Sequence, residues 1–243
     1  MTTTTASVLF ELNPGRMIAN KYEVIEQLGE GWEGEVYKIR EIRTGIEHAA
    51  KLFYPIRDPK NKAVVAYAKK LHNLRRCSMV IRYHTEETIR IRGQNITVLI
   101  AEFADGIMLE DYIKKQPGKR LRPYEALHML YALASGMQEI HDLGEYHGDL
   151  HTENVMVSKV GVRIELKLLD MYFWGKPHHS NIKHDTVEII RIFYDSLGGA
   201  KHYSSQPAYV KKIICGMKTS LILKKYNSAS QLKRYLDKLE LDL

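Results

Sequence analysis

Two acids and one amide between Asp149 and Asp170 have a spacing that could serve chemistry. Asn154 follows Asp149 by five positions, and Asp170 ends the next apolar run, directly after Leu168 and Leu169. One carboxylate can orient an attacking hydroxyl and accept its proton, while hard oxygen ligands hold Mg²⁺ on the phosphates of a nucleotide. The pattern therefore indicates phosphoryl transfer, with Asp149 as the base and Asn154 and Asp170 as the metal ligands.

Each of these residues has a simpler explanation when it is taken alone. Asp and Asn often cap turns, and His147 could be a hydrogen-bonded core histidine. Taken together, the run His-Gly-Asp-Leu-His-Thr-Glu-Asn from His147 to Asn154 and the later Asp170 resemble the catalytic loop H-R-D-L-x-x-x-N and the D-F-G of protein kinases. The loop is atypical, because Gly148 and His151 stand where H-R-D-L-K has Arg and Lys.

Composition limits the class of protein. The chain has 243 residues, of which 44% are hydrophobic, enough for one catalytic unit with a substantial core or two small lobes. Its net charge of +7 favours anionic partners such as nucleotide phosphates, but the Lys and Arg residues are scattered in pairs, which disfavours a nucleic-acid role. Cys77 and Cys215 lack metal-ligand spacing and predict no disulfide framework. No run has the length of a membrane helix, so we expect a soluble cytoplasmic protein without a membrane partner.

Alternation of apolar and polar residues predicts two strands joined by a glycine-rich turn. We expect the strands at Tyr22–Leu28 and Glu35–Ile39 and the turn at Gly29–Gly34. Glycines there would let backbone N–H groups approach a phosphate chain, although an ordinary flexible hairpin has the same pattern. A third strand, Glu47–Phe53, places Lys51 where the kinase V-A-I-K motif has its phosphate-contacting lysine.

The resemblance implies an ATP site assembled from several segments. The hinge, whose backbone would pair with adenine, is expected at residues 102–106, after a small gatekeeper, Ala101. Met156 would form one apolar wall of the adenine slot, and Val36 and Ala49 the other. The implied ATP-binding residues are Leu28, Gly29, Glu30, Gly31, Trp32, Glu33, Gly34, Val36, Ala49, Lys51, Glu102, Phe103, Ala104 and Met156. Lys51 and Asp149 are the implied catalytic residues.

One expected kinase feature is missing from the sequence. In kinases, a helix after the third strand presents a glutamate to the strand lysine. A helix is predicted over about residues 61–75, but Asp58 is the only acid between Lys51 and Glu86, and Tyr67 falls near the place of the glutamate. We therefore expect Glu33 or Glu35, from the glycine-rich turn, to hold Lys51.

Further strands and helices are predicted around these segments. Two strands, Thr88–Arg92 and Ile96–Ala101, are expected on either side of a hairpin turn at Gly93-Gln94-Asn95, and another hairpin is expected from Val155–Ser158 and Arg163–Leu169. Pro123 can begin a helix that continues to Gly144. Its predicted buried face comprises Leu127, Leu130, Tyr131, Ala134, Met137 and His141. A last helix is expected after a cap at Ser228, with Leu232, Tyr235, Leu236 and Leu239 on its apolar face.

The segment that follows Asp170 departs from the family pattern. Met171-Tyr172 replace Phe-Gly, and no A-P-E motif precedes Asp185, so the activation segment is expected to be short. A helix is predicted from His184 onward, with Asp185 either bracing the catalytic loop together with His147 or only capping the helix. The loop histidines expected near this segment are His178, His179 and His184, which lack a Cys or carboxylate to complete a metal set.

These inferences predict an α+β, bilobal protein-kinase-like fold, in which a small antiparallel β-rich lobe and a mainly helical lobe bind ATP and Mg²⁺ between them. Residues 1–20 are expected to be a leader, and residues 21–243 the kinase-like domain, with lobes at about 21–101 and 107–243. Transfer to Ser or Thr hydroxyls of a protein, including the chain itself, is the favoured activity. A small-molecule kinase of the aminoglycoside or choline type and a nucleotide-binding pseudokinase scaffold stay open as alternatives.

Gly148 predicts how the activity depends on phosphorylation. Many protein kinases have at this position an arginine that binds a phosphate on the activation loop, and glycine cannot do so. We expect turnover to be independent of loop phosphorylation. Phosphatase treatment before an activity assay checks this, and loss of turnover after the treatment would refute it.

Overall fold

The computed structural model describes residues 9–160 and 163–240 and divides into two compact units. Unit 1 takes in the chain up to Arg75 together with Ile81–Ala104, and unit 2 takes in Arg76–Val80 and the chain from Asp105 onward. Unit 1 is rich in strands and unit 2 is mainly helical, which confirms the predicted α+β class. Within the described residues, no helix combines the length and apolar composition needed to span a membrane.

Unit 1 is built on a six-stranded antiparallel sheet with the order β1-β2-β3-β4-β6-β5. Apolar alternation explains the strands, since every second residue of β3 enters the core. From residue 9 onward, the strands and the helix of unit 1 are β1 Met17–Ile18, β2 Tyr22–Glu30, β3 Gly34–Glu41, β4 Glu47–Phe53, α1 Lys62–Asn73, β5 Tyr83–Ile91 and β6 Gln94–Glu102.

The predicted bounds of these strands were accurate for β4 and too short for β5 and β6. β4 has the predicted limits, whereas β5 begins at Tyr83 rather than Thr88 and ends at Ile91, and β6 extends from Gln94 to Glu102. The turn between them is Arg92-Gly93 rather than Gly93-Gln94-Asn95, because both turn residues have positive φ, 47° and 82°. That backbone suits a two-residue hairpin, and it leaves the polar Gln94 and Asn95 free to pair within the ladder.

A buried carboxylate attaches the segment before β1 to this sheet. Glu35 is fully buried in β3 and accepts hydrogen bonds from the Phe10 N–H (2.6 Å), the Tyr54 hydroxyl (2.9 Å) and the Tyr37 hydroxyl. Tyr37 in turn accepts the Leu12 N–H at 3.0 Å, and the side chains of Phe10 and Leu12 join the core. Part of the predicted leader therefore belongs to the packed interior of unit 1, while residues 1–8 lie outside the described residues.

Unit 2 combines helices with a three-stranded sheet of order β7-β8-β9. Residues 76–80, which the predicted small lobe had included, belong to unit 2 because Met79 and Val80 pair with Leu168. The elements of unit 2 are β7 Ile107–Met108, α2 Leu109–Lys114, a 3-10 helix at Pro117–Lys119, α3 Pro123–Asp142, β8 Val155–Val160, β9 Arg163–Leu168, α4 His179–Ser196, α5 Gly199–Tyr203, α6 Ala208–Ile214, a 3-10 helix at Cys215–Met217, α7 Thr219–Lys225 and α8 Ala229–Asp237.

Helix α3 begins at the predicted Pro123 and ends at Asp142, two residues before the predicted end at Gly144. Leu130, Ala134 and Met137 are buried as expected, the His141 side chain is only 6% exposed, and Leu127 is partly buried. The prediction was wrong about Tyr131, which is 40% exposed and donates its hydroxyl to Asp237 at the surface. The residues that the structure buries in α3 are Ala126, Met129, Leu130, Leu133, Ala134, Gly136, Met137 and Ile140.

Helix α4 begins a turn and more earlier than the sequence indicated. It starts at His179, and Asn181 accepts the His178 N–H at 2.9 Å to cap its first turn. His179 and His184 are therefore helical rather than loop residues, and Asp185 lies inside the helix and does not cap it. The spacing of apolar residues does not indicate this start, because the first turn of the helix is polar. At the other end of unit 2, the Ser228 hydroxyl accepts the Gln231 N–H at 3.3 Å, which confirms the predicted cap of α8.

The Glu35 network predicts a large loss of stability for Glu35→Ala. The change leaves two tyrosine hydroxyls and the Phe10 N–H buried without their acceptor, which should lower the free energy of unfolding by roughly 3 kcal/mol or more. Glu26→Ala, on an exposed position of β2, is the matched control and should cost less than about 0.5 kcal/mol. Denaturant unfolding measures both, and equal values for the two variants would contradict the role of Glu35.

Candidate active site

The glycine-rich turn is shorter than the sequence indicated. Gly29 and Glu30 lie within β2 and Gly34 within β3, so the turn itself is Gly31-Trp32-Glu33, closed by a bond from the Gly31 N–H to the Gly34 carbonyl at 2.9 Å. A Cβ on Gly34 would lie 1.8 Å from the carbonyl oxygen of Leu52, so only glycine fits beside β4.

Gly29 and Gly31 have a different surrounding from Gly34. Both are exposed, and a Cβ on either would meet no other protein atom within 4 Å. Among the described residues, packing therefore does not require glycine at these two positions. It suits a turn whose backbone must approach a phosphate chain closely. Leu28 and Trp32, which flank them, are 44% and 61% exposed.

The register of the sheet gathers the other predicted nucleotide residues of unit 1 on one face. Val36 pairs with Lys51, and Ala49 pairs with both Lys38 and Ala101. Directly paired residues and residues two apart share a face, so these side chains are neighbours. The opposite face carries Glu35, Tyr37, Ala50 and Leu52 and packs on the core. Strand alternation thus separates the stabilising face of the sheet from the face with the candidate ligands.

Lys51 has an acidic partner from the turn. Its Nζ lies 2.9 Å from Glu33 Oε2, with the two side chains 13% and 29% exposed. Helix α1 contains no acid and instead places the Tyr67 ring 5.3 Å from the same ammonium, at cation–π distance. Of the two glutamates expected to hold Lys51, the structure pairs Glu33 with it, while Glu35 points to the other face.

The hinge residues and Met156 are distributed over the two units. Glu102 ends β6 and accepts the Arg82 N–H at 3.1 Å, and the Phe103 ring lies 4.4 Å from Lys38 Nζ. Ala104 is the last residue of this part of unit 1, so the chain changes units within the segment predicted as the hinge. Met156 belongs to β8 of unit 2, where it is partly buried and pairs with Met108.

The structure brings the predicted base and the predicted metal ligands into one region of unit 2. Asn154, which is buried, donates its Nδ2 to the carbonyl of Asp149 at 2.8 Å and lies 3.4 Å from the Asp149 carboxylate. Since the amide nitrogen is used in this way, the Asn154 side-chain oxygen is the atom able to bind a cation. The Leu169 N–H donates to the Asn154 carbonyl at 2.9 Å, which brings Asp170, the next residue, close to the loop.

The oxygen chemistry of this region fits Mg²⁺ bound together with nucleotide phosphates. Asp170 has a carboxylate and Asn154 an amide oxygen, and both are hard ligands. Among residues 9–160 and 163–240, no three His, Cys, Asp or Glu side chains cluster into a metal centre. A site of this kind needs fewer protein ligands than a dedicated metal cage, because phosphates and water complete the coordination.

A buried carboxylate fixes the backbone that precedes Asp149. Asp185 is fully buried and accepts the N–H groups of His147 at 2.7 Å and Gly148 at 2.9 Å, while His141 Nε2 lies 3.2 Å away. Burial alone would raise the pKa of Asp185, but the His141 contact and the neighbouring donors outweigh it and hold that pKa below its usual range. His147 Nδ1 also accepts the Asp149 N–H at 3.3 Å.

Two residues of this region had no role in the sequence interpretation. His151 Nε2 lies 2.9 Å from Asn154 Nδ2 and 3.7 Å from the Asp149 carboxylate. Trp174 donates its indole N–H to the Gly148 carbonyl at 2.9 Å. The second histidine of His-Gly-Asp-Leu-His was a usable signal for the first of these residues. Nothing in the local sequence indicated the second, because its contact joins positions 26 residues apart.

Comparison with known proteins places the chain among kinases. The family described as "Protein kinase domain" matches residues 22–204. The chain is 30% identical over 158 residues to the serine/threonine-protein kinase pkn2 of Myxococcus xanthus, a match that covers 63% of this chain and 18% of that protein. It is 26% identical over 202 residues to cyclin-dependent kinase B2-2 of Arabidopsis thaliana, covering 80% of this chain and 63% of that protein. The chain thus spans less than two thirds of the length of these relatives.

A solved structure has a similar fold. The crystal structure of the PknI kinase domain of Mycobacterium tuberculosis aligns with a TM-score of 0.64 at 16% sequence identity, covering 93% of this chain and 97% of that one. At this identity, the likeness concerns the fold alone.

The ion pair with Lys51 predicts the effect of Glu33→Gln. Loss of the carboxylate removes the group that orients the lysine, so kcat/KM for ATP should fall roughly three- to tenfold. Glu26→Gln, at an exposed position of β2, should keep the wild-type kcat/KM for ATP. Steady-state kinetics with ATP as the varied substrate measures both, and an unchanged kcat/KM in Glu33→Gln would show that this pair does not position Lys51.

Proposed function

The chain belongs to the protein kinase domain family, and on that basis we propose that it is an ATP- and Mg²⁺-dependent phosphotransferase acting on Ser or Thr hydroxyls of proteins, including its own. The observation that carries this proposal is the contact of Asn154 with Asp149. The predicted metal ligand donates to the backbone of the predicted base at 2.8 Å and lies 3.4 Å from its carboxylate. The exposed carboxylate of Asp149 is thus held beside the buried amide of Asn154, which is the arrangement that a base next to a metal ligand requires.

The proposed roles follow from the position of each side chain. Asp149, whose side chain is 57% exposed, can receive an acceptor hydroxyl, orient it and take its proton. Asn154 and Asp170 would hold Mg²⁺, which supplies positive charge to the phosphates when it is bound. Lys51 would contact the phosphates of ATP, and the exposed glycine backbone at Gly29 and Gly31 would lie along them.

Several features support a protein acceptor over the alternatives. The relatives in the comparisons include serine/threonine-protein kinases. Scaffolding alone does not require Lys51, Asp149, Asn154 and Asp170 together, and Glu33 supplies Lys51 with the carboxylate that α1 lacks.

A cytoplasmic location and the lack of nucleic-acid binding are further proposals, which rest on composition.

The test of this function is label transfer from γ-labelled ATP by the wild type and by Asp149→Asn. The wild type should label itself or a generic protein substrate, and Asp149→Asn should be at least about 100-fold slower while still binding the nucleotide. Asp111→Asn is the matched control, because the Asp111 side chain is 58% exposed, almost the same as Asp149, and should retain full activity.

Other outcomes separate the alternatives. Transfer only to small hydroxylated acceptors would favour a small-molecule kinase. No transfer to protein or small acceptors by wild type that binds Mg-ATP would favour a scaffold and would overturn the proposed activity.

A further inference from the structure

Two aromatic residues connect the segment after Asp170 to the loop that carries Asp149. The indole N–H of Trp174 donates to the Gly148 carbonyl at 2.9 Å. The Tyr146 hydroxyl accepts the backbone N–H of Trp174 at 2.6 Å and donates to the carbonyl of Gly175 at 3.0 Å. Tyr146 and Trp174, here called the aromatic clamp, thus make three hydrogen bonds between two parts of the chain that are 26 to 29 residues apart.

The clamp acts on the residue next to the proposed base. Asp185 binds the N–H of Gly148, and Trp174 binds its carbonyl, so both polar backbone groups of that glycine are held. A backbone bond from the Tyr172 N–H to the His147 carbonyl, at 2.8 Å, adds a contact just before the clamp. The position of Asp149 therefore depends on the two peptide groups that flank Gly148, one held by Asp185 and the other by Trp174.

The clamp requires glycine at position 148. The φ angle of Gly148 is +87°, in the left-handed region that favours glycine. A Cβ at this position would lie 2.9 Å from Cδ1 of Trp174 and 2.9 Å from the ring of Tyr146. Any larger side chain would displace the clamp, including the arginine that many kinases have here.

The burial of the two side chains indicates that the clamp serves more than core packing. Tyr146 is 1% exposed, and burial raises the pKa of its phenol, so the hydroxyl keeps its proton and can donate to Gly175. Trp174 is 67% exposed, although its indole nitrogen is hydrogen-bonded. An indole placed for hydrophobic burial would not leave most of its surface in water. Its tilted contact with the Tyr172 ring, at 4.8 Å between centroids, helps to orient it.

We propose that Tyr146 and Trp174 are positioning residues that hold residues 172–175 on the catalytic loop without phosphorylation of the activation segment. Neutral hydrogen bonds from the clamp take the place of a phosphate–arginine pair, which Gly148 cannot form. The effect on turnover rests on the proposed kinase function, whereas the holding of the segment can be measured independently of it.

The experiment compares Trp174→Phe and Tyr146→Phe with two matched controls in phosphatase-treated protein. Trp174→Phe keeps an aromatic ring but removes the indole N–H, and Tyr146→Phe removes only the hydroxyl. Tyr124→Phe removes an exposed hydroxyl from α3, and Phe173→Leu changes the exposed aromatic residue next to Trp174. Amide hydrogen exchange of residues 172–176 without nucleotide reports the holding of the segment, and a thermal melt shows that each variant is folded.

The clamp predicts faster exchange in both test variants, by about tenfold, and wild-type exchange in both controls. It also predicts a kcat about tenfold lower with an unchanged KM for ATP, because the lysine and the glycine-rich turn are untouched. A loss of fold alone would lower the melting temperature and raise exchange throughout unit 2, so the kcat change at constant KM distinguishes positioning from general stability.

Three results would overturn the proposal. Unchanged exchange in Trp174→Phe and Tyr146→Phe would show that the clamp does not hold the segment. Faster exchange of wild-type protein after phosphatase treatment would show that a phosphate holds it instead. Faster exchange with an unchanged kcat would show that the segment does not position Asp149. A wild type without any phosphotransfer would instead overturn the proposed function, and hydrogen exchange would then decide whether the clamp exists.

Discussion

The buried carboxylate of Asp185 fixes the backbone on which the proposed chemistry depends. It accepts two consecutive N–H groups, from His147 and Gly148, and is itself contacted by His141. A fully buried carboxylate is costly unless donors surround it, so moving the loop away from Asp185 would leave a buried charge without two of its donors. Asp149, the proposed base, follows that backbone directly, so its exposed side chain is attached to a backbone held by two hydrogen bonds to Asp185.

Unit 1 uses neighbouring glutamates for opposite purposes. Glu33 leaves the turn toward Lys51, while Glu35, two residues later in β3, is buried among hydroxyls and backbone donors on the core side. The first contact orients a candidate phosphate ligand, and the second attaches residues 9–12 to the sheet. Because Gly34 between them can approach the Leu52 carbonyl as no other residue could, the two glutamates hold fixed positions relative to β4.

Local patterns in the sequence were sufficient for much of this organisation. Period-two alternation predicted β4 with its observed limits, and Pro123 predicted the start of α3. The kinase fold followed from motifs whose spacing the chain keeps, and the family match confirms it. The roles of the individual site residues stay predictions, but their spacing alone indicated that Asp149 and Asn154 would meet.

Features that depend on contacts distant in sequence could not be predicted in the same way. The sequence around the turn does not show whether Glu33 or Glu35 contacts Lys51. Strand alternation separates the two glutamates only when it is known which face of the sheet packs on the core. The buried face of α3 was partly wrong, since Tyr131 is apolar enough to suit a core but lies at the surface. The sequence did not indicate the contact of Trp174 with Gly148. The acceptor is a backbone carbonyl, which every residue has, so no residue type marks it.

The most direct test of the account is an experimental structure of the protein with Mg²⁺ and a non-hydrolysable ATP analogue. It should show the metal bound by the side-chain oxygens of Asn154 and Asp170 at about 2.1 Å, with Lys51 Nζ on a phosphate oxygen. Asp149 should remain outside the metal coordination and free to meet a hydroxyl. A nucleotide bound without contact to Lys51, or a metal held by neither Asn154 nor Asp170, would contradict the account.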